Sequence, residues 1–169
     1  MSDMPIAYLS IVRGDAGAHT GGLLVTNHQG RPLEFHCTEP VAPNQAQRIL
    51  YGQTLDGFIC GDLIAPTLTK KMKAKPCLMI TDSVNCLIAR AKGTLSTPML
   101  AVLAAEPVLS RFELLKFQLA DQRVAVSASA GEDRVTAERI ENATENWFEL
   151  FEPLERIHTA ISEAHRQAA

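Results

Sequence analysis

The stretch Cys77-Leu78-Met79-Ile80-Thr81-Asp82 decides the interpretation of the fold. It is a short apolar run that follows Pro76 and closes on an acidic residue. A run without polar alternation is typical of a central strand that helices cover on both faces. It therefore predicts an α/β protein built around one buried strand.

Three strands are predicted before the central one. Residues 5–12 are rich in β-branched and aromatic side chains and predict the first strand. Residues 23–26 and 33–38 flank a turn at 27–30, and the second of these runs alternates apolar with polar side chains, which predicts a hairpin with one buried face. Residues 14–22 contain four glycines and are predicted to be a loop.

The other predicted elements follow from helical spacing, proline positions and short apolar runs. They are a helix that begins near Pro43, a helical stretch over 53–73 that breaks or restarts at Pro66, a helix from Ser83 to Lys92 that ends at Gly93, a strand over 99–104, a hairpin of 117–119 with 124–126, and two C-terminal helices that Pro153 divides, the second starting near Glu152.

This order of elements resembles that of ribonuclease-H-like domains and, in part, that of profilin-like domains. The resemblance is one of topology, and it implies a single mixed sheet opened by a three-strand meander, with helices on the sheet. We expect an α/β or α+β core over residues 1–131. Residues 132–169 are expected to form a helical C-terminal segment that packs on the core or on a partner.

Composition narrows the class of protein. The chain has 169 residues, 46% of them hydrophobic, and a formal net charge of −3, so it is neither disordered nor strongly attracted to polyanions. Residues 1–100 carry nine basic and seven acidic side chains, whereas residues 101–169 carry seven and twelve. No apolar run approaches the roughly 18 residues of a membrane span, and no signal peptide is visible, so a cytoplasmic protein without membrane contact is expected.

Cysteine and histidine give no metal pattern. Cys37, Cys60, Cys77 and Cys86 form no CxxC pair and lie among apolar neighbours, which predicts buried or half-buried thiols in a reducing compartment. His36 and Cys37 are adjacent on a predicted strand and point to opposite faces, so they cannot share an ion. We predict no metal, no cofactor and no catalytic residue.

The strongest candidate ligand site is at the carboxyl end of the central strand, where Asp82 and Ser83 lie. A metal-dependent nuclease of the ribonuclease-H type needs several carboxylates, the first on the opening strand. The opening strand here contains no Asp or Glu, although Glu34, Asp56 and Asp62 could approach Asp82. The favoured interpretation is that Asp82 and Ser83 cap the following helix.

The glycine loop and a lysine cluster are the other candidate binding sites. Gly14 and Gly17 follow a strand as glycines of phosphate-binding loops do, but no complete motif is present and an ordinary loop is favoured. The lysines could contact nucleic-acid phosphates, although a solvated helix end is favoured. They are Lys70, Lys71, Lys73 and Lys75.

An apolar seam runs through the C-terminal third with spacings of three and four residues. Its main residues are Trp147, Leu150, Leu154, Ile157 and Ile161. The seam could pack on the sheet of its own chain or on a partner helix. Our leading prediction is a non-catalytic cytoplasmic interaction module that acts through self-association, as a homo-oligomer, or through a protein partner. The alternatives are a small metal- or nucleotide-dependent enzyme or binding domain with a site near Asp82, and weak nucleic-acid binding through the lysines.

Overall fold

The structure is a computed structural model that describes residues 4–104, 112–144 and 149–168. Its centre is one seven-stranded sheet in the order β3-β2-β1-β4-β5-β7-β6. The strands are β1 (Ile6–Arg13), β2 (His19–Thr26), β3 (Pro32–Cys37), β4 (Leu78–Thr81), β5 (Met99–Val102), β6 (Leu114–Leu119) and β7 (Gln122–Ser127).

Strand directions confirm the predicted mixed sheet. The first three strands form an antiparallel meander, β4 lies parallel to β1, and β5 lies parallel to β4. The hairpin of β6 and β7 joins the far edge, with β7 antiparallel to β5. All four residues of β4 are buried, as the apolar run predicts. This topology is the ribonuclease-H-like one.

Helices cover both faces of the sheet. They are α1 (Gln45–Tyr51), α2 (Leu55–Gly57), α3 (Ala65–Lys71), α4 (Leu87–Ala91), α5 (Glu132–Thr144) and α6 (Glu152–Ala168). One core lies between the sheet and α5 and α6, and the other lies between the sheet, α3 and α4. No helix in the described part of the chain is long and apolar enough to span a membrane.

The helical stretch over 53–73 does not break at Pro66 but restarts there as α3, which is one of the two outcomes that the sequence predicts. Residues Phe58–Ile64 form π-helical turns, and α3 continues from them with Pro66 in its first turn. A proline is tolerated there because the first backbone N–H groups of a helix need no partner within the helix. The change from π to α geometry therefore accommodates Pro66 without interrupting the helix.

The predicted glycine loop over 14–22 is wrong in its second half. Strand β2 already begins at His19, so Gly21 and Gly22 lie inside it. A Cβ atom at Gly21 would lie 2.2 Å from Cγ2 of Ile64, and one at Gly22 would lie 2.3 Å from Cγ2 of Ile157. Glycine is therefore required because the π-helical turns with α3 approach the strand closely on one face and α6 does so on the other.

The C-terminal seam packs on the sheet of its own chain. Leu150, Leu154, Ile157 and Ile161 are each at most 3% exposed and belong to the same core as β1 and β4. Trp147 lies outside the described residues. Helix α5 begins at Glu132 and α6 at Glu152, but the boundary between a core domain and a C-terminal segment stays a prediction.

Candidate functional site at the carboxyl edge of β1 and β4

Three polar side chains from separate elements meet at one carboxylate. The Ser10 hydroxyl donates to Oδ2 of Asp82 at 2.5 Å, and Nε2 of His158 lies 3.0 Å from the same oxygen. The backbone N–H of Ile11 donates to Oδ1 at 3.3 Å. Both carboxylate oxygens of Asp82 thus have donors supplied by the protein.

Sheet and helix geometry bring these groups together. Ser10 lies on β1 between Tyr8 and Val12, on the face that α6 covers, and it is fully buried. Asp82 follows the last residue of β4, which pairs in parallel with β1. His158 comes directly after the buried Ile157 on α6, so helix packing fixes the position of its half-exposed ring.

The connectivity of this cluster differs from that of a serine hydrolase. In a catalytic triad the histidine lies between serine and aspartate, so that the imidazole can take the hydroxyl proton. Here Asp82 lies between Ser10 and His158, and the hydroxyl donates to the carboxylate. The arrangement therefore orders polar groups at the sheet edge without providing an imidazole base for Ser10.

The predicted capping role of Asp82 and Ser83 is wrong. Ser83 precedes a short 3₁₀ turn at Val84–Cys86 but makes no side-chain capping hydrogen bond, and Asp82 points across to β1 and α6. The Ser83 side chain lies near the thiols of Cys60 and Cys86 in the other core. Consecutive residues of extended chain point to opposite faces, so Asp82 and Ser83 do not form one site.

The other acidic candidates lie elsewhere in the structure. Asp56 pairs with Arg13 at 3.2 Å, Asp62 pairs with Lys92 at 2.7 Å, and Glu34 lies on the edge strand β3. Among the residues that the structure describes, no three His, Cys, Asp or Glu side chains form a group that could hold a metal ion. Within the described ranges, Asp82 therefore lacks the converging carboxylates of a metal-dependent nuclease.

Glu34 anchors the segment that follows α3. Its carboxylate accepts the backbone N–H groups of Lys73 at 2.9 Å and Ala74 at 2.5 Å, and it lies 2.7 Å from Nε2 of His36. Burial alone would raise the pKa of Glu34, but the hydrogen bonds from His36, Lys73 and Ala74 outweigh it and lower that pKa. The ionised carboxylate thus ties this segment to β3.

We expect Glu34→Ala to destabilise the protein by about 1 kcal/mol at neutral pH, because two backbone donors lose their acceptor. A carboxyl group with a lowered folded-state pKa stabilises above its unfolded pKa and loses that effect as the pH falls through the folded pKa. The difference from wild type should therefore shrink in acid. Urea unfolding over a pH series measures it, and a difference independent of pH would contradict the role of the ionised form.

Gly14 and Gly17 lie at the same sheet edge as Asp82, in the connection between β1 and β2. The Gly14 N–H donates to the carbonyl of Ala18, and the guanidinium of Arg48 lies over Gly17 and donates to the carbonyl of Ala16. Gly17 has a φ of +73°, which glycine adopts without strain. Some of the loop's backbone polar groups are therefore already hydrogen bonded within the protein. Phosphate binding at this loop stays a prediction.

Sequence reasoning missed a second polar cluster, which lies on the opposite face of β1. Nδ1 of His19 lies 2.9 Å from the Gly17 carbonyl, whereas its Nε2 lies 3.0 Å from Arg13 and 3.3 Å from Asp56. His19 is only 3% exposed. A groove of about 960 Å³ adjoins Asp56. Because the cluster lies on the face that α3 covers, the sheet separates it from Asp82.

The predicted lysine cluster lies at the other end of β4 from Asp82. Lys70 and Lys71 end α3, and Lys73 and Lys75 follow in the segment that leads into β4. All four lysines are exposed. The lysine cluster and the edge at Asp82 are therefore separate surfaces.

The cysteines show no sign of an activated thiol. Burial raises the pKa of Cys60 to about 11 and raises the pKa of Cys86 well above its ordinary value. Cys77 is half-buried, and Cys37 is exposed at the end of β3, which corrects the expectation that all four are shielded. Thiolate nucleophiles need a lowered pKa, so the two buried cysteines are structural.

Comparison with known proteins gives a clear result for the fold only. No protein-family model and no curated protein matches the sequence. Human endonuclease V has a similar structure, with a TM-score of 0.62 and 12% identity over 98% of this chain and 86% of that chain. A variant endonuclease V of Ciona intestinalis, in complex with a 23mer DNA that contains an inosine followed by a ribo-adenosine, matches with a TM-score of 0.55 and 10% identity over 99% of this chain and 88% of that one.

These findings correct the leading functional prediction. A self-associating or protein-binding module that acts through the C-terminal seam is wrong, because four seam residues are buried against their own sheet. The similar structures are nucleases, which are a different class from protein-interaction modules or homo-oligomers. What the likeness shows is a ribonuclease-H-like fold that spans nearly the whole chain.

Proposed function

We propose that this chain is a nucleic-acid-binding domain. The observation that carries the proposal is the convergence of Ser10, Asp82 and His158 from three elements at the carboxyl edge of β1 and β4. Ligand sites of α/β sheets lie at such an edge. The same fold occurs in an endonuclease V that is bound to DNA, which supports a nucleic-acid ligand over other ligands.

The exposed lysines supply the electrostatic part of this binding. Lys70, Lys71, Lys73 and Lys75 place four positive charges within six residues, and hydrogen bonds from the backbone of this segment to Glu34 hold it against β3. Lysines that contact phosphates release condensed counterions, which makes binding strongly dependent on salt. At the carboxyl edge, Asp82 holds the half-exposed imidazole of His158 in place, and this ring is the part of the cluster that can contact a sugar or a base.

Fluorescence anisotropy with labelled single-stranded and double-stranded oligonucleotides over a salt series tests the proposal. The variant with all four lysines changed to glutamine should bind more weakly, and its salt slope should fall by roughly one for each lysine that contacts a phosphate. His158→Ala should weaken binding while it leaves that slope unchanged. Lys116→Gln, on the edge strand β6, is the matched control.

Two results would count against the proposal. One is the absence of binding to any oligonucleotide at low salt. The other is binding whose salt slope is the same in the four-lysine variant and in wild type. His165→Ala, which changes another exposed histidine of α6, controls for a general effect on that helix.

A further inference from the structure

The ribonuclease-H-like fold of nucleases implies divalent cations, and the polar edge of this chain does not fit them. Two-metal hydrolysis needs carboxylates that converge on the ions. Ser10 lies on the opening strand at the position that faces Asp82, so a hydroxyl is present where such a site requires a second carboxylate. A neutral hydroxyl adds no negative charge to hold a cation.

Protein donors already occupy the oxygens of Asp82. The Ser10 hydroxyl and the His158 imidazole both contact Oδ2, and the Ile11 N–H contacts Oδ1. Nε2 of His158 carries its hydrogen in this contact, which both the Nε2–H tautomer and the imidazolium ion satisfy. A cation at Asp82 would have to displace these donors, and the only charged ligand that it would gain among them is the Asp82 carboxylate.

Two described carboxylates of neighbouring segments are engaged at other places. Asp56 binds Arg13 and contacts His19 on the opposite face of β1, and Asp62 binds Lys92. In the described ranges, no group of three possible ligands forms at Asp82 or elsewhere. The charge of Asp82 is therefore balanced by hydrogen bonds.

We infer that the carboxyl edge of β1 and β4 binds no divalent cation, and that Ser10, Ile11 and His158 hold Asp82 in place of a metal. The inference depends on the geometry of this edge and not on the proposed nucleic-acid binding. The edge orders polar groups and takes no part in metal-assisted hydrolysis.

Titration of Mn²⁺ into the full chain without nucleic acid, followed by the electron paramagnetic resonance signal of free Mn²⁺, measures cation uptake. Wild type and Asp82→Asn should take up the same amount of Mn²⁺. Asp121→Asn makes the same chemical change in the turn between β6 and β7, beyond β5 in the sheet, and should also leave uptake unchanged. Mn²⁺ uptake by wild type that Asp82→Asn abolishes would overturn the inference.

Two variants that add a carboxylate test whether the lack of a second carboxylate is the reason that this edge binds no divalent cation. Ser10→Asp places a second carboxylate beside Asp82 from the buried strand, and His158→Glu does so from the exposed side of α6. Either variant should take up one Mn²⁺ ion per chain beyond the uptake of wild type, because cation affinity rises with ligand charge. The gain should disappear when Asp82→Asn is added. If both variants fold and neither gains affinity, the explanation from ligand charge is wrong.

Cleavage of a labelled oligonucleotide gives an independent readout. The oligonucleotide should stay intact with wild-type protein in Mg²⁺ and in a chelator alike. Cleavage that requires Mg²⁺ and that Asp82→Asn removes would overturn the inference, whatever the Mn²⁺ titration shows.

Discussion

Asp133→Ala is expected to destabilise the protein by about 3–5 kcal/mol, since it leaves a shielded arginine without its partner. Asp133 is fully buried at the start of α5. Its carboxylate accepts hydrogen bonds from Nε and Nη2 of Arg90, each at 2.8 Å, and from the backbone N–H of Met99 at 3.0 Å. One side chain thus joins α4, the first residue of β5, and α5.

Glu132→Ala is the matched control for this change. Glu132 is the neighbouring residue and contacts the same Arg90 at 3.3 Å, but its side chain is 71% exposed. Exposed ion pairs contribute at most about 1 kcal/mol, so the control should stay close to wild type. Urea unfolding measures both variants, and equal losses of stability would contradict the dominant role of the buried pair.

A double variant distinguishes the net stabilisation that the ion pair contributes from the penalty of leaving one buried charge unpaired. Removing one partner of a buried ion pair leaves an uncompensated charge, whereas replacing both avoids that penalty. Arg90→Met combined with Asp133→Ala should therefore lose less stability than the two single changes added together. Strict additivity would mean that the two side chains act independently.

The sequence predicts the strands of this fold better than the contacts between them. Continuous apolar runs identify β1 and β4, because strands buried on both faces need such side chains whatever covers them. The start of β2 was missed, since Gly21 and Gly22 resemble a loop when only local preference is considered. Glycine is required at these positions by tertiary packing, because the helices lie too close to the strand to leave room for a side chain.

The candidate site could be predicted only in part. Asp82 follows from its position after a central strand, but its partners Ser10 and His158 are 72 and 76 residues away in the chain. A single serine in an apolar strand and a histidine beside a helical apolar stripe are both common. Only the parallel pairing of β1 with β4 and the packing of α6 bring them to one carboxylate.

The apolar seam shows a different limit of prediction from the sequence. Spacings of three and four residues correctly predict which side of the C-terminal helix is buried. They carry no information about what covers that side, because a sheet and a partner helix both require the same apolar stripe. The contacts of Ile157 and Ile161 with β2 decide it in favour of the protein's own sheet.

Gly22→Ala is expected to cost about 1–3 kcal/mol, because it overpacks the contact between β2 and α6. The new methyl group would lie 2.3 Å from Cγ2 of Ile157 and 2.9 Å from Cδ1 of Ile161. Gly14→Ala is the control, since a Cβ there would meet nothing closer than 3.9 Å, and it should stay within about 0.5 kcal/mol of wild type. Thermal and urea unfolding compare the two variants.

Rescue by a second change distinguishes this clash from a general effect of the substitution. Ile157→Leu removes the Cγ2 methyl but keeps the side-chain volume, so it should restore part of the stability lost in Gly22→Ala. The same clash pushes α6 away from the sheet, and His158 follows Ile157 on that helix. Gly22→Ala should therefore also weaken oligonucleotide binding to a degree similar to His158→Ala, and Ile157→Leu should recover it. Loss of stability without any change in binding would show that the contact between His158 and Asp82 does not contribute to nucleic-acid binding.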